Sequence, residues 1–314
     1  MICILRVWLQ DTHVYQNSNF LTHKPKKEKP TMRGILAAVL LVVFFAVPLS
    51  AQELTGTLLQ IKKTGIIKIG YRQDQPPMSY QGKDGTPVGY SIDICKSIVT
   101  AIEKKINGNV KIEYVPVTAA DRFDALSHNK IDLLCGSTSK TLSRSELVDF
   151  TLPTFVTGAT FMTLKRTQIM NNFAGKRIGV VKGTTMADSV KELFKETGVV
   201  ADIVMLNATS EGVKALEEGK IDALAQEQVV LIGQALKAAN PENFSILPNL
   251  FTYESFALAV RRNDADFRLV ADRVISHLFR TKEIVQIYKK WFGEFSSTIP
   301  TAFQALIQIN AIPE

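Results

Sequence analysis

Two periodicities alternate along this chain. GIIKIGYR at 65–72 reads as a short strand. GYSIDICKSIVTAIEKKI at 89–106 places Ile92, Cys95, Ile98, Val99 and Ile102 at near-helical spacing. Strand alternation returns in VKIEYVPV at 110–117, followed by a helix over 119–129 that ends at Asn129 and a strand over 130–137. After residue 173 the order begins again. A strand at 175–183 leads to a helix at 184–198 closed by Gly198. A strand at 201–207, a helix at 210–219 capped by Gly219 and a strand at 220–227 follow. The predicted series is β-α-β-α-β, written twice.

The repetition extends to the residues themselves. ALSHNKIDLL at 125–134 and ALEEGKIDAL at 215–224 share Ala-Leu, three residues, Lys-Ile-Asp, one residue and Leu. In each, Ala-Leu falls in the last turn of a helix and Lys-Ile-Asp opens the next strand. Two ordinary helix-to-strand corners could agree by chance, but the flanking elements also match in order and length. Such units build parallel sheets with right-handed crossovers, so the pattern predicts two similar α/β lobes. The extended, aromatic segments at 148–166 and 247–262 fit neither series and are suited to crossing between lobes. The helical patterns at 265–279 and 282–292 are expected to return to the first lobe. The first lobe is therefore expected over 52–155 and 252–314, and the second over 156–251.

The first 51 residues follow a different pattern. From Met32, Arg33 precedes an apolar run of 13 residues at 35–47, with Pro48 and Ala51 suited to a cleavage region. The run is short of the roughly 20 apolar residues that cross a bilayer, so 32–51 reads as a secretory signal peptide. Leu49 stands where a small residue is preferred. Residues 1–31, with KPKKEKP, read as an extension from a start codon assigned too early; a long basic leader is the alternative. Export to the periplasm is expected.

Composition narrows the function classes. With 46% hydrophobic and 21% charged residues, the chain is ordinary globular material. Removing residues 1–51 removes six Lys/Arg and two Asp/Glu, which lowers the formal charge from +7 to +3. No basic stripe is interleaved with aromatics, which argues against a nucleic-acid partner. Beyond residue 51 the cysteines are Cys95 and Cys135; they suit either one disulfide or two buried small hydrophobes. Their spacing matches no metal motif, and only His128 and His277 remain, so neither a metal nor a cofactor is expected. A Ser-His-Asp set and a P-loop are both missing.

GYRQDQPPMSY, GYSIDICKSI, CGSTSKTLSRSELVDFTLP, GKRIGVVKGTTMADSV and KWF, in that order over roughly 55–294, resemble the family 3 periplasmic solute-binding proteins of amino-acid ABC importers. Within that family the resemblance is closest to the glutamate/aspartate-binding branch. It implies a periplasmic-binding-protein-like α/β fold, with two lobes joined by a two-strand hinge and a ligand cleft between them. It further implies a monomer that closes on an amino acid and delivers it to membrane permease subunits.

An amino acid's charges must be met by partners if they are buried. The resemblance assigns Arg144 to the α-carboxylate, where a guanidinium can engage bidentately. Ser137 and Ser139 complete that cradle, and Thr184 and Thr185 line the second lobe's side at a helix start. Glu227 stands where the family has an aspartate for the α-ammonium. Arg72 and Arg122 match arginines that the acidic branch turns toward the ligand. Each has a plainer alternative: turn chemistry for the serines, capping for the threonines, solvent exposure for the charged groups. Met78, Tyr80 and Thr209 are candidate pocket walls, with core packing equally open for Met78 and Tyr80. Three departures weaken glutamate specifically: Ala119 replaces a binding serine, Thr209 a histidine and Met78 a phenylalanine. The alternative function is a periplasmic dehydratase acting on cyclic carboxylic acids, with Glu227 as its acid or base. A sensory protein acting through a membrane partner is a third reading.

Overall fold

The computed structural model describes residues 53–170, 172–295 and 298–314. The expected extension at 1–31 and the signal peptide at 32–51 lie outside the described residues.

Two five-stranded sheets organise the rest. In the first, β1 (Ile66–Tyr71) lies between β5 (Lys111–Pro116) and β6 (Leu133–Cys135), all parallel. β13 (Glu254–Arg261) runs antiparallel to both β6 and β7 (Val148–Thr157). In the second, β9 (Arg177–Val181) lies between β10 (Asp202–Leu206) and β11 (Ala223–Glu227), again parallel. β8 (Ala159–Leu164) pairs antiparallel with β11 and with β12 (Phe244–Ile246). The sheets are thus mixed, not purely parallel as the βαβ pattern suggests. The extra antiparallel strands come from the extended segments, which leave one sheet and join the other. A small three-stranded sheet of β2 (Asp74–Gln75), β3 (Ser79–Gln81) and β4 (Pro87–Val88) folds over the first lobe.

Helices cover both faces of each sheet. α1 (Gly56–Thr64), α2 (Tyr90–Ile106), α8 (Ala265–Arg280), α9 (Glu283–Phe292) and α10 (Thr301–Asn310) share one core with the first sheet, while α3 (Arg122–Ser127) covers its other face. In the second lobe α6 (Thr209–Glu217) and α7 (Gln228–Lys237) cover one face and α5 (Met186–Thr197) the other. A four-residue turn of helix, α4 (Leu142–Ser145), precedes β7. Phe155 stacks on Phe292 of α9 with 5.0 Å between centroids, and Tyr90 Oη of α2 donates to the Thr154 carbonyl at 2.7 Å, so helices from both ends of the first lobe's sequence hold β7. Cys95 of α2 and Cys135 of β6 form a disulfide that closes a 40-residue separation, worth about 4 kcal/mol by loop entropy.

The duplicated phrase has a physical explanation. The amides of Lys130 and Ile131 both reach the Ala125 carbonyl, at 2.9 and 3.2 Å; those of Lys220 and Ile221 reach the Ala215 carbonyl, at 2.8 and 3.3 Å. Asn129 and Gly219 take the left-handed conformation that reverses the chain. The isoleucine then fills the space that a side chain on the neighbouring strand would take: Ile131 lies against Gly70 and Ile221 against Gly179. The aspartate locks the next strand. Asp132 accepts from the Lys68 amide, and Asp222 from the Arg177 amide, each at 2.8 Å. Both carboxylates also pair with an arginine, Asp132 with Arg261 at 3.1 Å and Asp222 with Arg177 at 2.9 Å. The strands begin after the aspartate, later than alternation alone suggests, because Lys-Ile-Asp forms the corner itself.

Asp132 is fully buried, whereas Asp222 keeps some solvent contact. Asp132→Ala strands the Arg261 charge and should destabilise the protein by about 3–5 kcal/mol. Asp222→Ala should cost less, about 1–2 kcal/mol, because water partly replaces the lost partner. Denaturant unfolding of the two variants checks the order; equal losses would contradict it.

Candidate functional site

The candidate residues gather where the carboxyl ends of the two sets of parallel strands face each other. Arg72 follows β1, Ser137 and Ser139 follow β6, and Arg122 starts the helix after β5. Across from them, Thr184 and Thr185 follow β9, Thr209 follows β10 and Glu227 ends β11. Open α/β sheets present their binding loops at this edge.

Three guanidinium groups form the centre of the first lobe's contribution. Arg122 is buried; one terminal nitrogen donates to the Ala119 carbonyl, the other to the Gly183 carbonyl at 3.1 Å, and its Nε has no partner among the described residues. Arg144 donates to the Ser139 carbonyl at 2.8 Å and to the same Gly183 carbonyl at 3.2 Å. Both guanidiniums lie over the Phe123 ring, at 4.5 and 5.5 Å from its centroid. Arg72, also buried, pairs with Asp74 at 3.5 Å. Burial lowers the pKa of all three. Repulsion from Arg144 and Arg72 adds to burial at Arg122, which falls furthest from the guanidinium norm.

Glu227 is the counterweight from the second lobe. Its carboxylate is buried and accepts no hydrogen bond from a described side chain. Desolvation first, then the nearby charge of Glu254, push its pKa up to about 7, against the pull of Arg144 and Arg122. Glu254 sits at the start of β13, where it accepts from Thr185 Oγ at 3.1 Å and from Thr252 Oγ at 3.0 Å.

The remaining candidates have more local roles. Ser137 Oγ donates to the Gln75 side chain. Thr184 Oγ donates to the Val181 carbonyl at 2.7 Å, and the Met186 amide donates to Thr184 Oγ at 3.3 Å, which makes it a turn residue. Thr185 occupies the N-cap of α5, yet its hydroxyl reaches Glu254 and does not cap the helix. Thr209 is fully buried, and its Oγ accepts from Gln226 at 3.3 Å. Met78 is fully buried, in a cluster that takes in the first lobe's core and also Val229 and Val230 of α7. Tyr80 is half-buried at the lobe boundary, with Lys237 of α7 3.3 Å from its ring centroid and Trp291 edge-on at 6.0 Å.

Sequence reasoning missed Asp74, Phe123, Gly183 and Glu254. Gly183 had the clearest trace, in KGTT after a strand. Its φ is +74°, and a Cβ there would lie 2.6 Å from the Ala119 carbonyl of the opposite lobe, so only glycine lets this loop approach the arginines.

With that geometry in place, known proteins can be compared. Residues 67–294 match the model of bacterial extracellular solute-binding proteins, family 3. The chain belongs to that family. It is 30% identical over 265 residues to an L-glutamate/L-aspartate-binding protein of Pseudomonas aeruginosa, covering 83% of this chain and 88% of the relative. A glutamate/aspartate import solute-binding protein of Salmonella typhimurium is 30% identical over 240 residues, covering 76% and 80%. Among solved structures, the ancestral amino-acid-binding protein AncCDT-1, a precursor of cyclohexadienyl dehydratase, matches with a TM-score of 0.66 at 25% identity, covering 76% of this chain and all of that one. The fold is that of a two-lobed solute-binding protein, and the curated relatives are binding proteins, not enzymes.

Glu227 generates a pH prediction. Its native pKa of about 7 lies above its ordinary value of 4.5, so the native state holds a proton that the unfolded chain releases between these values. Stability from this group therefore falls as pH rises from about 4.5 to 7. Glu227→Gln should remove that loss and become the more stable form above pH 7, by a margin on the order of 3 kcal/mol. Ligand-free unfolding at pH 5 and pH 8 measures it; a pH-independent difference would contradict the raised pKa.

Proposed function

We propose that this protein is the solute-binding component of an amino-acid ABC importer and that its ligand is an acidic amino acid of the glutamate/aspartate type. It is exported to the periplasm and hands its ligand to the permease subunits in the membrane. Family membership and the names of the relatives support the importer role. The observation that carries the acidic ligand is the gathering of Arg72, Arg122 and Arg144, all with burial-lowered pKa values, opposite the buried Glu227.

A dicarboxylic amino acid answers this arrangement chemically. Its α-carboxylate suits Arg144, beside Ser139 and the start of α5. Its ammonium suits Glu227 in the carboxylate form. Its second carboxylate suits Arg122, whose charge has no carboxylate hydrogen-bonded to it and whose Nε is free among the described residues. A neutral amino acid would leave that guanidinium buried with carbonyl partners alone. Electrostatics therefore supports an acidic side chain even though Ala119 and Thr209 remove two polar groups found in the branch it resembles.

A thermal-shift screen of the twenty common amino acids should show stabilisation by L-glutamate or L-aspartate; at 100-fold excess over Kd the gain is about 2.7 kcal/mol. Arg144→Ala should weaken binding by about 2–5 kcal/mol, roughly 30-fold to several thousand-fold. Arg122→Ala should weaken acidic ligands more than glutamine or alanine. If none of the twenty shifts the melting temperature, or if affinity survives in Arg144→Ala, this reading fails.

Ligand binding should also release a proton. An ammonium held at Glu227 requires the carboxylate, while the free site is largely protonated below pH 7. Affinity should fall as pH drops from 7 to 5. Calorimetry at pH 6 in buffers of different ionisation enthalpy should register proton release, which Glu227→Gln abolishes.

A further inference from the structure

Outside the contacts to Gly183, Asp74 makes several polar contacts between the lobes. It lies in β2 of the first lobe, two residues after Arg72. One carboxylate oxygen pairs with Arg72 at 3.5 Å. The other accepts from the amides of Thr209, at 2.8 Å, and Ser210, at 3.3 Å. Those amides are the first two of α6, in the second lobe. The residue at the helix's own N-cap is Ala208, which has no side-chain oxygen to offer them. A helix start carries unsatisfied N–H groups and a partial positive charge. Here both are met from across the cleft.

The same edge carries further contacts. The Gln234 side chain of α7 donates to the Asp74 carbonyl. Gly233 lies so close to the Pro76 carbonyl that a Cβ would collide with it. Lys237 covers the ring of Tyr80. Opening the cleft would break the contacts between Asp74 and α6 and return two amides to water without their cap.

We propose that Asp74 is an inter-lobe latch: by capping α6 of the second lobe while paired with Arg72 of the first, it favours the closed form and so sets ligand affinity without touching the ligand. The inference rests on the cleft reading above and adds the element that biases its equilibrium. Affinity scales with the fraction of molecules in the binding-competent state, so losing a cap with its helix-dipole contribution should weaken binding about tenfold. The loss should fall mainly on the dissociation rate, because the latch acts only once the lobes meet. Asp74 is a positioning residue in this scheme.

The test compares wild type with Asp74→Ala and Asp74→Glu in the full protein. Three quantities are read: compactness by small-angle X-ray scattering without ligand and with saturating L-glutamate, hydrogen exchange at the Thr209 and Ser210 amides, and L-glutamate association and dissociation rates. Asp74→Ala should exchange faster at both amides, populate a more open form and release L-glutamate about tenfold faster, and it should also lower the ligand-free melting temperature, because it leaves the buried Arg72 without its carboxylate. Asp74→Glu, which keeps a carboxylate, should recover part of the effect. Unchanged compactness, exchange and dissociation in Asp74→Ala would overturn the latch. So would weaker binding at unchanged exchange and compactness, which would place Asp74 on the ligand itself. If L-glutamate binds no form of the protein, the ligand reading fails, while ligand-free compactness and exchange still decide the latch.

Discussion

Arg72, Arg122 and Arg144 hold three cations in one cleft where burial lowers the pKa of each, and Arg122 bears the repulsion of both neighbours. Gathering buried like charge is unfavourable unless something compensates it. The first lobe compensates in part, with Asp74 on Arg72 and the Ala119 and Ser139 carbonyls on the other two. The second lobe adds the Gly183 carbonyl, shared by two guanidiniums, and the Glu227 carboxylate. The lobes are therefore electrically incomplete apart. Contact between them supplies each with what the other lacks.

The hinge places these groups. β7 and β13 pair along their length and end with Thr157 beside Glu254, at the point where the chain passes between sheets. The two crossing segments stay joined beyond that point, with the Phe251 amide on the Ala159 carbonyl at 2.9 Å and the Ala159 amide on Thr252 Oγ at 3.0 Å. A paired double crossing can bend but cannot separate, so the lobes meet in a repeatable register. The crossing also delivers Glu254 to the cleft, where it engages Thr185 and raises the pKa of Glu227. Hinge and candidate site thus share a residue.

The lobes were legible in the sequence because their signals are local. Hydrophobic periodicity marked the helices and strands, and the repeated Lys-Ile-Asp corner revealed the duplication because Ile131 and Ile221, Asp132 and Asp222 meet the same demands of glycine-backed packing and strand locking. The antiparallel strands were harder to foresee. β8 leaves the sheet of β7, the strand before it, and β13 leaves the sheet of β12, and no short-range pattern encodes that exchange. Arg144 and Glu227 could be singled out through motif position. Asp74 could not, since its role depends on amides about 135 positions away and on the missing cap at Ala208.

Under the proposed function and the proposed latch, affinity and specificity draw on separable parts of the cleft. Under the proposed function Arg122, which has only carbonyl hydrogen-bond partners and an unpaired Nε among the described residues, is the group that discriminates by what a ligand's side chain brings to it. Asp74 carries no such demand, because Arg72 and the start of α6 already satisfy it. A change at Arg122 should alter the order of preference among amino acids, whereas a change at the latch should move all affinities together. In a fold that presents its loops at strand ends and closes by a hinge, this division allows ligand choice to drift at the floor of the cleft while closure is tuned at its rim. Substituting Ala119 and Thr209, where the resemblance leads one to expect serine and histidine, falls on the first part and leaves the second intact.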